Sequence, residues 1–415
     1  MIRPGNIKIL LRSPHPLPLY AAAFFQSGAG GIWFVAMPFI IKRLGGSDTQ
    51  LGLCLGLWFV AYLSGCLGAG GILDRFNARN SVRFGAAANV VINVGILITV
   101  IIAQGSDNPA SLLWLIMCLS ALSGLMTAFF WPPLMGWLST GYEGAQLNRR
   151  LGRHNTAWSF GALVTPYLGG VLVERSSVWP FAVIIGLMGL SFAVITLGKG
   201  PGPNASNGDN GSLSQTPSDA ASALLPCFRW MARIALLTSL VCIGLLRTQL
   251  AVLFKYELGF MESQYGTGMM IMCLASFVVF VAAGRWHRWH YKLHIFLAGQ
   301  VLLMISMLMI LKGSSLGIFF LATGLVGTGQ AFMYNSHLYY GVSGGTRRSR
   351  RMAIHEFLLS AGFVIGSLTG GFLSDEFGPL MPYRFGLAVV ALGLCIQIAI
   401  YFAFKRKLSI TTTVL

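Results

Sequence analysis

Arg247, Thr248 and Gln249 follow one another inside an apolar run, Ile234–Phe254, that carries no other charge. A guanidinium at that depth is costly to hold in hydrocarbon and is by default a functional group. Its planar fork matches carboxylate or phosphate, so one reading is a binding site for an anionic group of a solute. The other reading is structural: Arg247 snorkels to the rim or pairs with Glu257 or Glu262. Polar and aromatic side chains interrupt other apolar runs at Gln26 and Trp33, at Trp131 and Trp137, and at Gln330, Tyr334, Asn335 and His337. Aromatics near helix ends commonly form an interfacial belt. Amides such as Gln330 and Asn335 are expensive to turn toward lipid, and with Gln26, Trp33, Trp131, Arg247, Gln249, Tyr334 and His337 they make up the candidate solute ligands.

His337, His355 and Glu356 fall near one mouth of the protein, where a histidine beside an acid could pass protons. The structural alternative places Glu356 in the first turn of its helix, where the dipole favours an acid, and it is the preferred reading. His287, His290 and His294 are only loosely spaced for a metal, the seven cysteines form no CxxC pair, and no G-x-x-x-x-G-K-[ST] occurs. No metal or other cofactor is expected. No Ser/His/Asp set or carboxylate pair converges at one depth, and all twelve acids can be placed in loops or at run ends. That argues against an enzyme and against a carboxylate proton carrier at the midplane.

The elements that would position these groups are dictated by composition. Of 415 residues, 55% are apolar and 10% charged, with a mean hydropathy of +0.70. A soluble domain carries about 25% charge, so the chain is an integral membrane protein. Runs of about 20 apolar residues, the length that crosses a bilayer as helix, recur twelve times, from Pro18–Ile41 to Tyr383–Phe404. Of the 29 basic residues, 22 fall on the face that holds the N-terminus, 6 on the other, and Arg247 within a run. Positive charge favours the cytoplasmic side, so both termini are expected in the cytoplasm. The net charge of +17 then reports topology rather than nucleic-acid binding. Pro132-Pro133 should kink the fourth run.

Two six-helix bundles are expected, residues 1–198 and 231–415, joined by a flexible cytoplasmic linker over 199–230 that is rich in Gly, Ser, Pro and Asn. The bundles repeat each other. LGGSDTQLG at Leu44–Gly52 returns as LGFMESQYG at Leu258–Gly266, and Gly71–Arg79 aligns with Gly284–Lys292. AFFWPPLMGW at Ala128–Trp137 aligns with AFMYNSHLYY at Ala331–Tyr340. Arg149-Arg150, His154, Ser159, Gly161, Gly169 and Gly170 recur 201 residues later. A parallel duplication of this kind implies a pseudo-two-fold axis along the membrane normal, a solute site between the halves near the midplane, and alternating access.

The residues at this point resemble the major facilitator superfamily along essentially the whole chain. The family's G-x-x-x-D-R-x-G-R-R stands here as Gly70-Gly71-Ile72-Leu73-Asp74-Arg75-Phe76-Asn77-Ala78-Arg79. Asn77 replaces a glycine and is the next best residue for a left-handed turn. The resemblance implies that Asp74 is a cytoplasmic gate residue set against the N-terminus of span eleven, with Arg75, Arg79, Arg288 and Glu356 around it. The family's G-x-x-x-G-P-x-x-G-G appears in span five as Gly161 to Gly170 with Thr165 for a glycine, keeping Pro166, Gly169 and Gly170. Span eleven keeps Gly362, Gly366, Gly370 and Gly371 without the proline. Small residues at this spacing let helices pack closely, and in the family the pattern is commonest in exporters. Proton-linked drug exporters carry an Arg and a Gln in span four; Leu112–Leu138 has neither, which counts against that coupling.

Together these readings give an all-α membrane protein of two six-helix bundles, acting as a monomer in a cell (inner) membrane. It moves a small organic solute by alternating access, with export favoured. The alternatives are an organic-anion importer or exchanger centred on Arg247, and a lipid flippase or transporter-like receptor on the same scaffold.

Overall fold

A computed structural model describes residues 16–68, 77–139, 144–198, 219–285, 289–342 and 348–413. It contains twelve helices long and apolar enough to cross a membrane. In order they are α1 Leu17–Arg43, α2 Asp48–Gly68, α3 Ala78–Gln104, α4 Pro109–Ser139, α5 Gly144–Arg175 and α6 Trp179–Leu197. The second series is α7 Asp219–Leu245 with its π-helical continuation to Glu257, α8 Glu262–Arg285, α9 Leu293–Lys312, α10 Leu316–Val342, α11 Arg348–Phe377 and α12 Met381–Thr413. No strand occurs among the described residues.

Twelve spans emerge where the apolar runs place them, but four helices, α5, α7, α11 and α12, run well past their bilayer segments. Residues 219–230, expected in the linker, are the first turns of α7. Polar helix ends carry no apolar run, so hydropathy alone does not register them. The expected kink in α4 is a full interruption: residues 128–130 form turns, and the helix restarts at Trp131 with Pro132 and Pro133 in its opening turn. Two prolines remove two amide donors and clash with the carbonyls a turn earlier, so an α-helix cannot continue through them. Asn77 departs from expectation. Its φ of −60° and ψ of 133° are extended, and its side chain accepts from the Arg79 amide as the N-cap of α3.

The repeat is visible in local geometry. Gly45 (φ 82°) and Gly259 (φ 69°) take the same left-handed turn before α2 and α8, a conformation only glycine enters freely. Two residues later the amide of Ser47 donates to Gln50 Oε1 at 2.9 Å, and that of Met261 to Gln264 Oε1 at 2.8 Å. Both are the reach-back half of a capping box; only the first copy has the reciprocal bond, from the Gln50 amide to Ser47 Oγ at 3.1 Å.

The chain forms two compact units, Met1–Gly46 with Leu57–Ser214, and Ser47–Gly56 with Gln215–Leu415. In unit 1, α1 packs on α5 and α6, and in unit 2, α7 packs on α11 and α12 in the same pattern. Glycines bring the paired backbones together. A Cβ at Gly161 would enter the Phe24 carbonyl on α1, and one at Gly169 would lie 3.0 Å from the Ile32 Cα. On α11, a Cβ at Gly362 would approach Leu240 to 2.5 Å and one at Gly366 would enter the Val241 carbonyl of α7. Thr165, which stands for a glycine, turns its hydroxyl to the Gly161 carbonyl at 2.8 Å. The space it needs is left by Gly28 and Gly31 on α1.

The first turns of α2, up to Gly56, group with unit 2, and the helix from Leu57 onward groups with unit 1. Asp375 at the end of α11 accepts from the amides of Asp48 (3.0 Å) and Thr49 (2.7 Å), and the Ser374 hydroxyl donates to the Asp48 carboxylate at 2.5 Å. A carboxylate on free helix N-terminal amides is favoured by both hydrogen bonding and the dipole. Asp375→Ala should therefore lower stability by roughly 1 kcal/mol, with Asp375→Asn losing less. Scanning fluorimetry reads the effect, and an unchanged melting temperature in the alanine variant would rule the cap out.

Candidate functional site

In unit 2 the candidate residues gather on α7 where it leaves α-helical geometry. Leu246–Leu250 and Leu253–Glu257 are π-helical. Such turns are rare and concentrate at functional positions. The Tyr265 hydroxyl on α8 lies 3.4 Å from the carbonyls of both Leu246 and Arg247, covering the loosened turn. Arg247 is half-buried, its guanidinium carbon 5.6 Å from the centre of the Phe363 ring on α11. Glu262, one of the two acids considered for Arg247, binds the Lys255 ammonium at 3.0 Å. Thr248 does not add a free donor, because its hydroxyl donates to the Gly244 carbonyl at 2.9 Å. Gln249 is 1% exposed, and neither its Oε1 nor its Nε2 meets a hydrogen-bond partner. The same holds for the buried hydroxyl of Tyr383 on α12.

The α10 candidates divide. Gln330, Tyr334 and Asn335 are half-buried, while His337 is 2% exposed. His337 Nδ1 lies 2.8 Å from His355 Nδ1 on α11, and the Tyr334 ring stands edge-on to His355 with centres 4.7 Å apart. Glu356 is not in the first turn of its helix, because α11 already starts at Arg348. The dipole account of Glu356 is thereby corrected, and the acid acts instead on Tyr334 of α10.

In unit 1 the Gln26 Oε1 and the Trp33 Nε1 are buried without partners. Trp33 adjoins a run of rings on α1 and α2: Trp58 stacks on Tyr62 (5.7 Å, 15°) and Phe34 on Phe59 (5.7 Å, 18°). Trp131 meets His154 edge-on at 6.1 Å. Trp137 packs against the apolar core of the unit. Arg79 donates to the carbonyls of Thr196 (3.1 Å) and Gly198 (2.8 Å), and Arg83 to that of Thr196 at 2.9 Å. Both close the C-terminal end of α6, where free carbonyls and the dipole favour a cation. Asp74, Arg75 and Arg288 lie outside the described residues.

A separate open cleft of about 440 Å³ in unit 1 is lined by Arg43, Arg175, Gln104 and three serines, and none of the candidate residues reaches it. Sequence reasoning missed Asp375, Tyr265, Tyr383 and Phe363, which carry no local pattern. Trp58 and Tyr62 were legible as an i, i+4 aromatic pair on one helix face, and His154 and His355 as the same position of the repeat.

Residues 19–344 match the family model described as Major Facilitator Superfamily. The chain is 21% identical over 378 residues to Multidrug resistance protein 1 of Bacillus subtilis (strain 168), covering 89% of this chain and 92% of that one. Among solved structures it resembles a POT family transporter in complex with 5-aminolevulinic acid, with a TM-score of 0.69, 13% identity, and 94% and 96% of the two chains covered. It also resembles a bacterial homologue of the iron transporter ferroportin in an inward-facing state, with a TM-score of 0.67, 14% identity, and 96% and 99% covered. These two likenesses carry the fold.

Proposed function

The chain belongs to the Major Facilitator Superfamily and is a multi-pass membrane transporter, and from that premise we propose that it exports a small amphiphilic organic solute by alternating access. The observation that carries this reading is the set of polar tips without partners at the depth of the membrane: Gln26, the Trp33 indole and Gln249, each within a membrane-spanning helix. A buried amide left unbonded costs about 1–3 kcal/mol. Its retention fits a ligand that supplies the missing bonds, and within unit 1 the rings around Trp33 and Trp58 offer an apolar surface beside the unbonded indole. Export follows the glycine pattern of α5 and α11 and agrees with the name of the Bacillus relative. The loop charges support cytoplasmic termini in a cell (inner) membrane, and the protein is taken to act as a monomer. The two halves are proposed as residues 1–198 and, from the start of α7, 219–415, with the cytoplasmic gate at Asp74, Arg75, Arg79, Arg288 and Glu356.

A second reading rests on Arg247 in its π-helical turn over Phe363, which suits the carboxylate of an organic anion. One screen separates the two. Purified protein is heated with ethidium, benzoate, uridine or glucose, since a ligand of the native state raises the melting point. The amphiphile reading expects stabilisation by ethidium in both wild type and Arg247→Gln, and ethidium accumulation by inside-out vesicles. Stabilisation by benzoate alone, lost in Arg247→Gln, would replace it with the anion reading.

A further inference from the structure

Two buried histidines on neighbouring helices touch through their Nδ1 atoms, and that contact has a definite proton count. At 2.8 Å, one ring donates Nδ1–H and the other accepts with its Nδ1 lone pair, because two N–H groups or two lone pairs would repel. In the neutral pair the donating ring therefore has a free lone pair on Nε2, and the accepting ring carries its proton on Nε2. Neither Nε2 has a hydrogen-bond partner, although His337 is 2% and His355 1% exposed. One added proton binds the free Nε2 lone pair, makes that ring an imidazolium, and leaves the Nδ1–H···Nδ1 bond intact and charge-assisted. A second proton would have to take the accepting Nδ1 lone pair and break the contact.

Charged groups lie near the pair, and the nearest cation opposes a second positive charge there. Glu356 follows His355 in sequence on α11 and acts on Tyr334, which lies edge-on to His355 from α10. Arg233 of α7 is the cation that acts on His337. Charge of both signs therefore lies near the pair on two helices, α11 and α7, with the neutral Tyr334 ring on a third. The repeat supplies a comparison within the molecule. His154 and Trp131 occupy the places of His355 and Tyr334, again edge-on (77° against 79°). At the place of His337, however, unit 1 has Leu134, fully buried in its apolar core. Only the second copy has gained the partner that turns a packed histidine into a pair.

We propose that His337 and His355 together form a binding site for one proton, loaded and released in step with movement of the solute. The coupling rests on the transporter reading above, whereas the one-proton stoichiometry does not. Two measurements keep these apart. In the first, 15N-histidine NMR of the full-length protein follows both rings from about pH 4 to 9, assigned with His337→Leu and His355→Gln. The proposal expects the two rings to titrate in a single shared step of one proton, and His337→Leu to turn His355 into an independently titrating ring. Two independent one-proton steps in wild type, or no change across the range, would overturn it.

The second measurement uses ethidium with inside-out vesicles. His355→Gln, outside the candidate solute ligands, should lower accumulation driven by a pH gradient about tenfold while leaving downhill ethidium flux within about twofold. Unchanged gradient-driven accumulation would refute coupling through the pair. Absence of any ethidium movement in wild type would instead count against the solute reading, and the titration would still decide the proton site.

Discussion

Gln249→Leu is expected to make the protein more stable and less able to bind its ligand. Both polar atoms of Gln249 are buried without partners, and each such group costs about 1–3 kcal/mol. Leucine has a similar volume and no polar atoms, so the variant should gain roughly 1–3 kcal/mol. For a unit of this size that raises the melting temperature by about 2–4 °C per kcal/mol. The same change removes the amide proposed to meet the solute, so the stabilisation by ethidium should weaken at least about tenfold. Scanning fluorimetry with and without ethidium reads both numbers. A lower melting temperature would mean that the amide is bonded in the native state. A higher one with an undiminished ethidium response would move the ligand away from α7.

Gly366→Leu should prevent recovery of folded protein. Overpacking a core costs about 1–3 kcal/mol when side chains can give way. Here a Cβ would enter the Val241 carbonyl of α7 and lie 3.1 Å from the Gly244 Cα. Backbone cannot rotate aside, so α7 and α11 would have to separate along their length. Gly161→Leu should fail in the same way against the Phe24 carbonyl. Gly30→Leu is the control on α1, because nothing lies within 4 Å of the position its Cβ would take. Monodisperse yield in size-exclusion chromatography distinguishes them. A normal elution profile and melting temperature for Gly366→Leu would remove close glycine packing as the basis of the α7–α11 contact.

How far the sequence could be read depends on the physics each feature draws on. The spans were legible because a bilayer forces a long apolar run on every crossing helix. The duplication was legible because Gly45 and Gly259, or Gln50 and Gln264, do local jobs that fix residue type. The break before Trp131 was legible from two adjacent prolines. The early starts of α7 at Asp219 and α11 at Arg348 were not, since those turns are polar and leave no hydropathy signal. The misplaced start of α11 then misassigned Glu356. The His337–His355 contact and the Asp375 cap join residues 18 and 327 positions apart. No pattern within a single element encodes such a meeting; it exists only once helices have packed.

The π turns of α7 have a mechanical consequence. Lys42 and Lys255 are 213 residues apart, but Leu44 and Leu258 are 214 apart, so unit 2 holds one extra residue where Leu253–Glu257 is wound wide and α1 is not. Along an α-helix one residue corresponds to about 100° of azimuth. If such a turn tightens, or migrates by a residue, the segment on one side must swivel against the other by that angle. Arg247 lies in one wide turn and Lys255 in the other. Two such turns in series give α7 two places where a swivel would re-aim a half-buried cation without tilting the helix that holds it.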